Sequence, residues 1–140
     1  MKFFNFQFSI FNFVKCFIVI AFLLFIACDD IPNSDIFGKW QLKTVENFGH
    51  TSSVDTVWYN FQSESVFSVQ VYNPQQDTVF VLLGFRTQSD NMISVILDSE
   101  AYMDMTDWKS KNRSFIIDKV DRKNLILFCE KGQRYTFRRF

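Results

Sequence analysis

"FGKWQLKTVE", residues 37–46, alternates: Trp40, Leu42 and Thr44 share one parity, and Lys39, Gln41 and Lys43 share the other. In an extended chain successive side chains point to opposite faces, so the pattern predicts a strand with one buried and one wetted face. A helix would instead repeat its apolar positions every three and four residues. The stretch reads as β, and its neighbours decide whether it stands in an open sheet or a closed one.

Seven more such runs follow: "VDTVWYNFQ" (54–62), "SVFSVQVYN" (65–73), "TVFVLLGFR" (78–86), "MISVILD" (92–98), "SFIIDKV" (114–120), "NLILFCE" (124–130) and "RYTFRRF" (134–140). Turn formers fill the gaps, in "FGHTSS", "SES", "NPQQD", "QSDN", "DRKN" and "KG". Most gaps are too short for the crossover that parallel strands require, so consecutive antiparallel hairpins are expected. An open eight-stranded meander leaves two unpaired edges, and closing it into a barrel removes them while burying one face. The expected fold is all-β, an eight-stranded antiparallel barrel.

One interval breaks the rhythm. In "SEAYMDMTDWKSKN" (99–112), Ala101, Tyr102, Met105 and Trp108 recur at spacings of three and four. This predicts a short helix between the fifth and sixth strands, with Asp98 or Ser99 at its start. The helix would plug exposed apolar surface, or in a functional version serve as a lid over a ligand portal. The fourth strand asks for such cover, because Phe80 and Leu82 alternate with Val79, Val81 and Leu83, making both faces apolar.

In the second strand Val57, Tyr59 and Phe61 share one parity and Trp58 takes the other. If the first set points inward, it joins Trp40, Phe67, Val69, Val71 and Phe85. The interior of an eight-stranded barrel either fills with such side chains or holds one small ligand. Trp58 and Tyr72, facing outward, would contribute to an aromatic surface patch. Candidate ligand or partner contacts are therefore Trp58, Tyr59, Tyr72, Phe85, Tyr102, Met105 and Trp108.

The opening residues carry Lys2 and Lys15, no acid, and then twelve uncharged positions from Cys16 to Ala27. This is the order of a secretory signal peptide. The run falls short of the roughly 20 apolar residues a spanning helix needs. The expected division is a leader at 1–27, a polar tether "CDDIPNSDI" at 28–36 and a barrel domain at 37–140. Losing the leader takes two lysines from the fifteen basic side chains and leaves fifteen acids, a formal balance of −2. No basic run remains except the terminal "RRF", which argues against nucleic acid as a partner.

Chemistry is sparse. His50 is the single histidine, which rules out a zinc site built on two or three of them. Its neighbours Ser52, Ser53 and Asp55 lie together in a hairpin loop, where convergent triad geometry is not expected. With four glycines there is no phosphate-cradling motif. Asp98, Glu100, Asp104 and Asp107 match neither a calcium loop nor a placed catalytic pair. No catalysis, cofactor or metal is expected. Cys129, in "LILFCEKG", reads as a small apolar core residue.

Two stretches resemble known families. "FIAC" resembles the lipobox of bacterial lipoproteins, with Ala27 before the cut and Phe25 where leucine is usual. The resemblance implies that Cys28 receives a diacylglycerol through a thioether and becomes the first mature residue. Fatty-acyl chains such as palmitate would then hold the domain in the cell envelope, at the outer membrane. Several chains are needed, because one gives only marginal affinity. Gly38, Lys39 and Trp40 are similar to the Gly-x-Trp that opens lipocalin barrels. There the tryptophan closes the barrel base under an arginine from a late strand, implying that role for Arg138 or Arg139. Leader, tether, Gly-x-Trp-x-Leu and eight strands together resemble the lipocalin-like lipoproteins of Gram-negative bacteria. That likeness implies a small hydrophobic ligand in or at the barrel mouth, or alternatively a packed barrel that binds a protein or glycan at the envelope.

Overall fold

The computed structural model of the protein describes residues 33–129 and 131–140. The expected leader, Ala27 and Cys28 lie outside the described residues. Among the described residues no helix is long and apolar enough to cross a membrane.

Among the described residues nine strands form: β1 (Gly38–Asn47), β2 (His50–Ser53), β3 (Val57–Phe61), β4 (Val66–Asn73), β5 (Thr78–Ser89), β6 (Met92–Leu97), β7 (Asn112–Val120), β8 (Asn124–Cys129) and β9 (Arg134–Arg139). Every pairing is antiparallel. Eight of them run in order from β1 through β3 to β9, and β9 returns to pair with β1. The sheet is a closed eight-stranded barrel, as the alternation predicts. β2 stands outside the ring, folded back on the upper half of β1 from Thr44 to Asn47. It occupies the stretch the sequence marks as a turn. All four of its residues are exposed, so no buried parity betrays it.

Closure needs bends. The β1–β9 ladder shifts register between Leu42 and Thr44, and the β7–β8 ladder between Ile117 and Lys119. Such bulges turn a twisted sheet back upon itself. At Gly84 a β-carbon would lie 2.6 Å from the Ile96 carbonyl oxygen, so β5 and β6 approach closely only because that position lacks a side chain. Gly84 therefore fixes the parity of β5. Leu82, Gly84 and Arg86 face the core, while Val79, Val81, Leu83 and Phe85 face out.

The core fills the lumen. Trp40, Leu42, Tyr59, Phe61, Phe67, Val69, Phe115, Ile117, Tyr135 and Phe137 are each at most 3 % exposed. Tyr59 and Phe137 have ring centroids 4.9 Å apart, and Phe61 and Phe67 5.1 Å. Cys129 is a buried free thiol on the inner face of β8.

Three expectations change. The helix between the fifth and sixth strands does not form. Residues 98–111 make an irregular loop with one 3-10 turn, Met103–Met105. Ser99 Oγ accepts the Ala101 amide at 3.1 Å, a local turn that competes with helical bonding. Tyr102 takes a left-handed φ of 64°, and Thr106 is extended. Phe85, expected inside, is 63 % exposed because Gly84 holds the inward position. Ile36, assigned to the tether, is fully buried and ends a 3-10 turn, Asn33–Ile36, packed into the core.

The apolar outer face of β5 keeps little cover. Val79, Val81, Leu83 and Phe85 are 50, 45, 57 and 63 % exposed, and Ile96 on β6 adds 54 %. The 98–111 loop reaches this region through Tyr102, whose ring lies 4.6 Å from that of Phe80.

Candidate binding site at the barrel mouth

The two ends of the barrel are closed differently. At the base Trp40 donates its indole N–H to the Ile36 carbonyl at 2.8 Å. The Arg139 guanidinium lies 4.1 Å above the Trp40 ring and donates to the carbonyls of Phe37 and Asp35. Of the two candidate arginines, Arg139 caps the base, because it stands directly across the β1–β9 ladder from Trp40. Arg138 has the opposite parity and is exposed. Gly38 takes a φ of 118°, and a β-carbon there would meet the Arg139 guanidinium at 3.1 Å, so the glycine makes room for the cap. Beside it the buried Arg86 donates to the Ser63 carbonyl at 2.7 Å and lies against Phe37 and Phe61.

At the opposite end the 98–111 loop folds inward. Within that segment Trp108 is the one buried residue. Its ring stacks near Phe67 at 6.2 Å and meets Tyr59 and Phe115 edge-on. The Trp108 indole N–H donates to the Tyr59 hydroxyl at 2.7 Å. Sequence reasoning set Tyr59 among the inward-facing residues and Trp108 on a helix packed across the barrel; the structure joins the two inside the lumen.

Polar groups surround this ring. Arg113 donates from both terminal nitrogens to the Asp107 carboxylate, each at 3.2 Å, and to Gln133 at 3.3 Å. Tyr135 donates to Asp107 as well. The guanidinium lies over Trp108, Phe115 and Tyr135 at 5.1 to 5.7 Å. Burial works against the charge of Arg113, but Tyr59, the Asp107 carboxylate and Tyr135 outweigh it, so its pKa stays above the ordinary value. Burial raises the Tyr59 phenol, and the nearby Asp107 charge adds to the effect. Tyr135 is raised for the same two reasons. Both phenols are therefore neutral donors and acceptors at physiological pH. Outside this network a cleft of about 310 Å³ runs between Asp107, Lys109, Asn112, Arg113, Cys129 and Gln133.

The remaining candidates scatter. Trp58 is half-buried on the outer wall, edge-on to Phe140, with Lys39 Nζ 5.3 Å above its ring. Tyr72 is half-buried and donates to Asp77 at 2.9 Å. Tyr102 is 47 % exposed, and Met105 is partly buried against the core. The mouth thus brings together Tyr59, Trp108 and, at its edge, Met105, whereas Trp58, Tyr72 and Phe85 lie on the outer wall. Asp107, Arg113, Gln133 and Tyr135 were missed as a set. Parity could have placed Tyr135 inside with Phe137, but the convergence of a loop acid on a β7 arginine leaves no mark in local spacing. Among the described residues no group of three or more His, Cys, Asp and Glu side chains is placed to hold a metal.

The lipocalin-like domain matches residues 23–140 of the chain. The chain belongs to the lipocalin-like domain family. A crystallised lipocalin-like protein from Bacteroides uniformis is 28 % identical and superposes with a TM-score of 0.67, over 76 % of this chain and 99 % of its own. An uncharacterised protein from Bacteroides eggerthii is 25 % identical with a TM-score of 0.64, over 74 % of this chain and 98 % of its own. No curated protein sequence matches. This lipocalin-like barrel is compatible with ligand binding.

Proposed function

We propose that this lipocalin-like protein is a non-catalytic binding protein of the cell envelope, held there by lipid on Cys28. It takes a small hydrophobic ligand at the barrel mouth when the 98–111 loop moves aside. The observation that carries the reading is the mouth closure, in which an irregular loop reaches the lumen through a single deeply buried side chain, Trp108. The apolar and aromatic lining above Phe67 suits an oily guest, with Tyr59 and Arg113 available to orient it. The lipid anchor rests on the leader pattern that ends at Ala27 and Cys28.

Native mass spectrometry of the protein purified from its own cells tests the ligand, and a co-purifying apolar molecule is the expected result. Protein that is free of any such molecule and gains no thermal stability from a panel of apolar compounds overturns it. Cys28→Ala should leave unprocessed precursor or release the domain from membranes; unchanged membrane-bound mature protein overturns the anchor.

A second reading is favoured by one observation, the outer wall of β5 and β6. Val79, Val81, Leu83, Phe85 and Ile96 present exposed apolar side chains on that face. Contiguous apolar surface of this kind marks interaction sites. Under it, the packed barrel is a module that docks a protein or glycan on its wall, and the mouth is only a lid.

A further inference from the structure

The Trp108 ring sits as a guest would. It is carried on a loop rather than a strand, and its N–H finds an acceptor from another element, the Tyr59 hydroxyl at 2.7 Å. Phe67 lies beneath it, Tyr59 and Phe115 stand edge-on, and the Arg113 guanidinium covers it at 5.1 Å. These four residues define a flat slot of indole size with one hydrogen-bond acceptor.

The loop is built to leave. Its neck is closed by the Leu97 amide donating to the Lys111 carbonyl at 2.9 Å, and by Lys111 Nζ donating to the Asp98 carbonyl at 3.0 Å. Those bonds keep β6 and β7 joined whatever the rest of the loop does, as in an Ω-loop whose ends meet. Between the necks most residues are exposed, the 3-10 turn buries none of its own, and Tyr102 holds a left-handed conformation that bulky residues avoid. Beyond Trp108, the grip comes from side chains: Asp107 on Arg113 and Tyr135, Tyr102 on Phe80, and partly buried Met103 and Met105. Segments held this way open at lower free energy than the core.

We infer that Trp108 is a built-in placeholder, and that the ligand is a planar aromatic heterocycle of indole size whose N–H donor replaces that of Trp108 on the Tyr59 hydroxyl. The inference rests on the ligand-binding reading and narrows it from any oily molecule to one chemical class. An internal competitor weakens apparent affinity by the inverse of the fraction of time it leaves the slot empty. The resident indole thus sets a threshold concentration below which the barrel stays shut, and excludes aliphatic chains that cannot satisfy Tyr59.

Indole and indene are the probes, because they share shape and differ in the N–H. Trp108→Ala should bind indole at least tenfold more tightly than the unaltered protein, and should prefer indole to indene. Adding Tyr59→Phe should weaken indole by roughly tenfold, the range of one hydrogen bond, and leave indene unchanged. A second measurement does not depend on the variant folding. The unaltered protein is labelled with 5-fluorotryptophan, and its three signals are assigned by single replacements. Saturating indole should move the Trp108 fluorine signal to its solvent-exposed position while Trp40 holds still. Equal affinity with and without Trp108, no preference for indole over indene, or a Trp108 signal that stays put with indole bound would each overturn the exchange. If an apolar molecule co-purifies while the Trp108 signal stays buried, ligand binding stands and only the placeholder falls.

Discussion

Base and mouth of this barrel are closed by the same pair of residue types. Each end has a buried tryptophan whose N–H is satisfied within 2.8 Å and an arginine over its ring. They differ in what holds the arginine. Arg139 at the base donates to the main-chain carbonyls of Phe37 and Asp35, whereas Arg113 at the mouth relies chiefly on the side chains of Asp107 and Gln133. Trp40 lies on a strand paired on both edges, and Trp108 lies on a loop. Main-chain partners move only with the backbone that carries them, here the 3-10 turn and the entry to β1, while side-chain partners can rotate away. On the proposed reading the base is a fixed seal and the mouth a conditional one.

Replacing the two tryptophans is the sharpest way to break that comparison. Trp40→Ala should cost about 3–5 kcal/mol, since the strands around it cannot collapse into the void. Trp108→Ala should cost about 2–3 kcal/mol, because its loop can relax or swing out. Urea unfolding midpoints at matched slopes measure both. Equal losses would mean that the mouth is sealed as rigidly as the base, and the gating argument would fail.

Asp107→Ala probes the mouth alone. It leaves Arg113 without its carboxylate while the arginine side chain is 10 % exposed. Removing one partner of a fully buried pair is strongly destabilising, but Asp107 is 35 % exposed and solvent screens part of the pair. A loss of about 1–2 kcal/mol is expected, together with faster amide exchange confined to 98–111. Protection unchanged in that segment would show that the ion pair does not hold the loop.

The base was more legible in the sequence than the mouth. Parity set Trp40 inside, the resemblance to the Gly-x-Trp opening implied Arg138 or Arg139 above it, and the β1–β9 ladder selects Arg139. Most of the fold was legible from parity as well, since eight runs of period two leave closure as the way to bury one face. The mouth depends on Asp107 in a loop meeting Arg113 and Tyr135 on two separate strands, and no local period encodes that meeting. The spacing of Ala101, Tyr102, Met105 and Trp108 did suggest a helix, but Ser99, Thr106 and the left-handed Tyr102 bond and bend the backbone otherwise. Phe85 was misplaced because hydrophobicity was weighed over parity. Arg86, one residue on, shares the parity of Leu82 and is buried.

Two phenols at the mouth also make stability depend on pH. Tyr59 and Tyr135 have pKa values raised above their ordinary 10, Tyr59 mainly by its complete burial. Unfolded tyrosines ionise near pH 10 while the folded ones stay neutral, so the unfolded chain holds fewer protons above that pH. The stabilising contribution is complete below pH 10 and declines as pH rises toward the folded-state values. Tyr59 alone should remove about 1.4 kcal/mol per pH unit above 10, and Tyr135 adds to the loss in the same direction. Tyr59→Phe should flatten this alkaline limb in urea titrations at several pH values. An unchanged limb would assign the loss to other groups.

The smallest expected effect lies on the wall, where neighbours of opposite parity can be compared. Phe85 is 63 % exposed and Arg86 is 1 % exposed. Phe85→Ser should change stability by no more than about 0.5 kcal/mol, because the ring surrenders little contact with the folded chain. A loss above about 2 kcal/mol would mean that Phe85 is covered in solution, and two explanations would then compete. If Gly84 did not fix the parity of β5, the loss would be independent of protein concentration. If a second copy covers the wall, the midpoint of the unaltered protein would rise with concentration and that of Phe85→Ser would not. The same substitution therefore decides whether the apolar wall is ordinary surface or an interface, and so whether the mouth or the wall is the working face of the barrel.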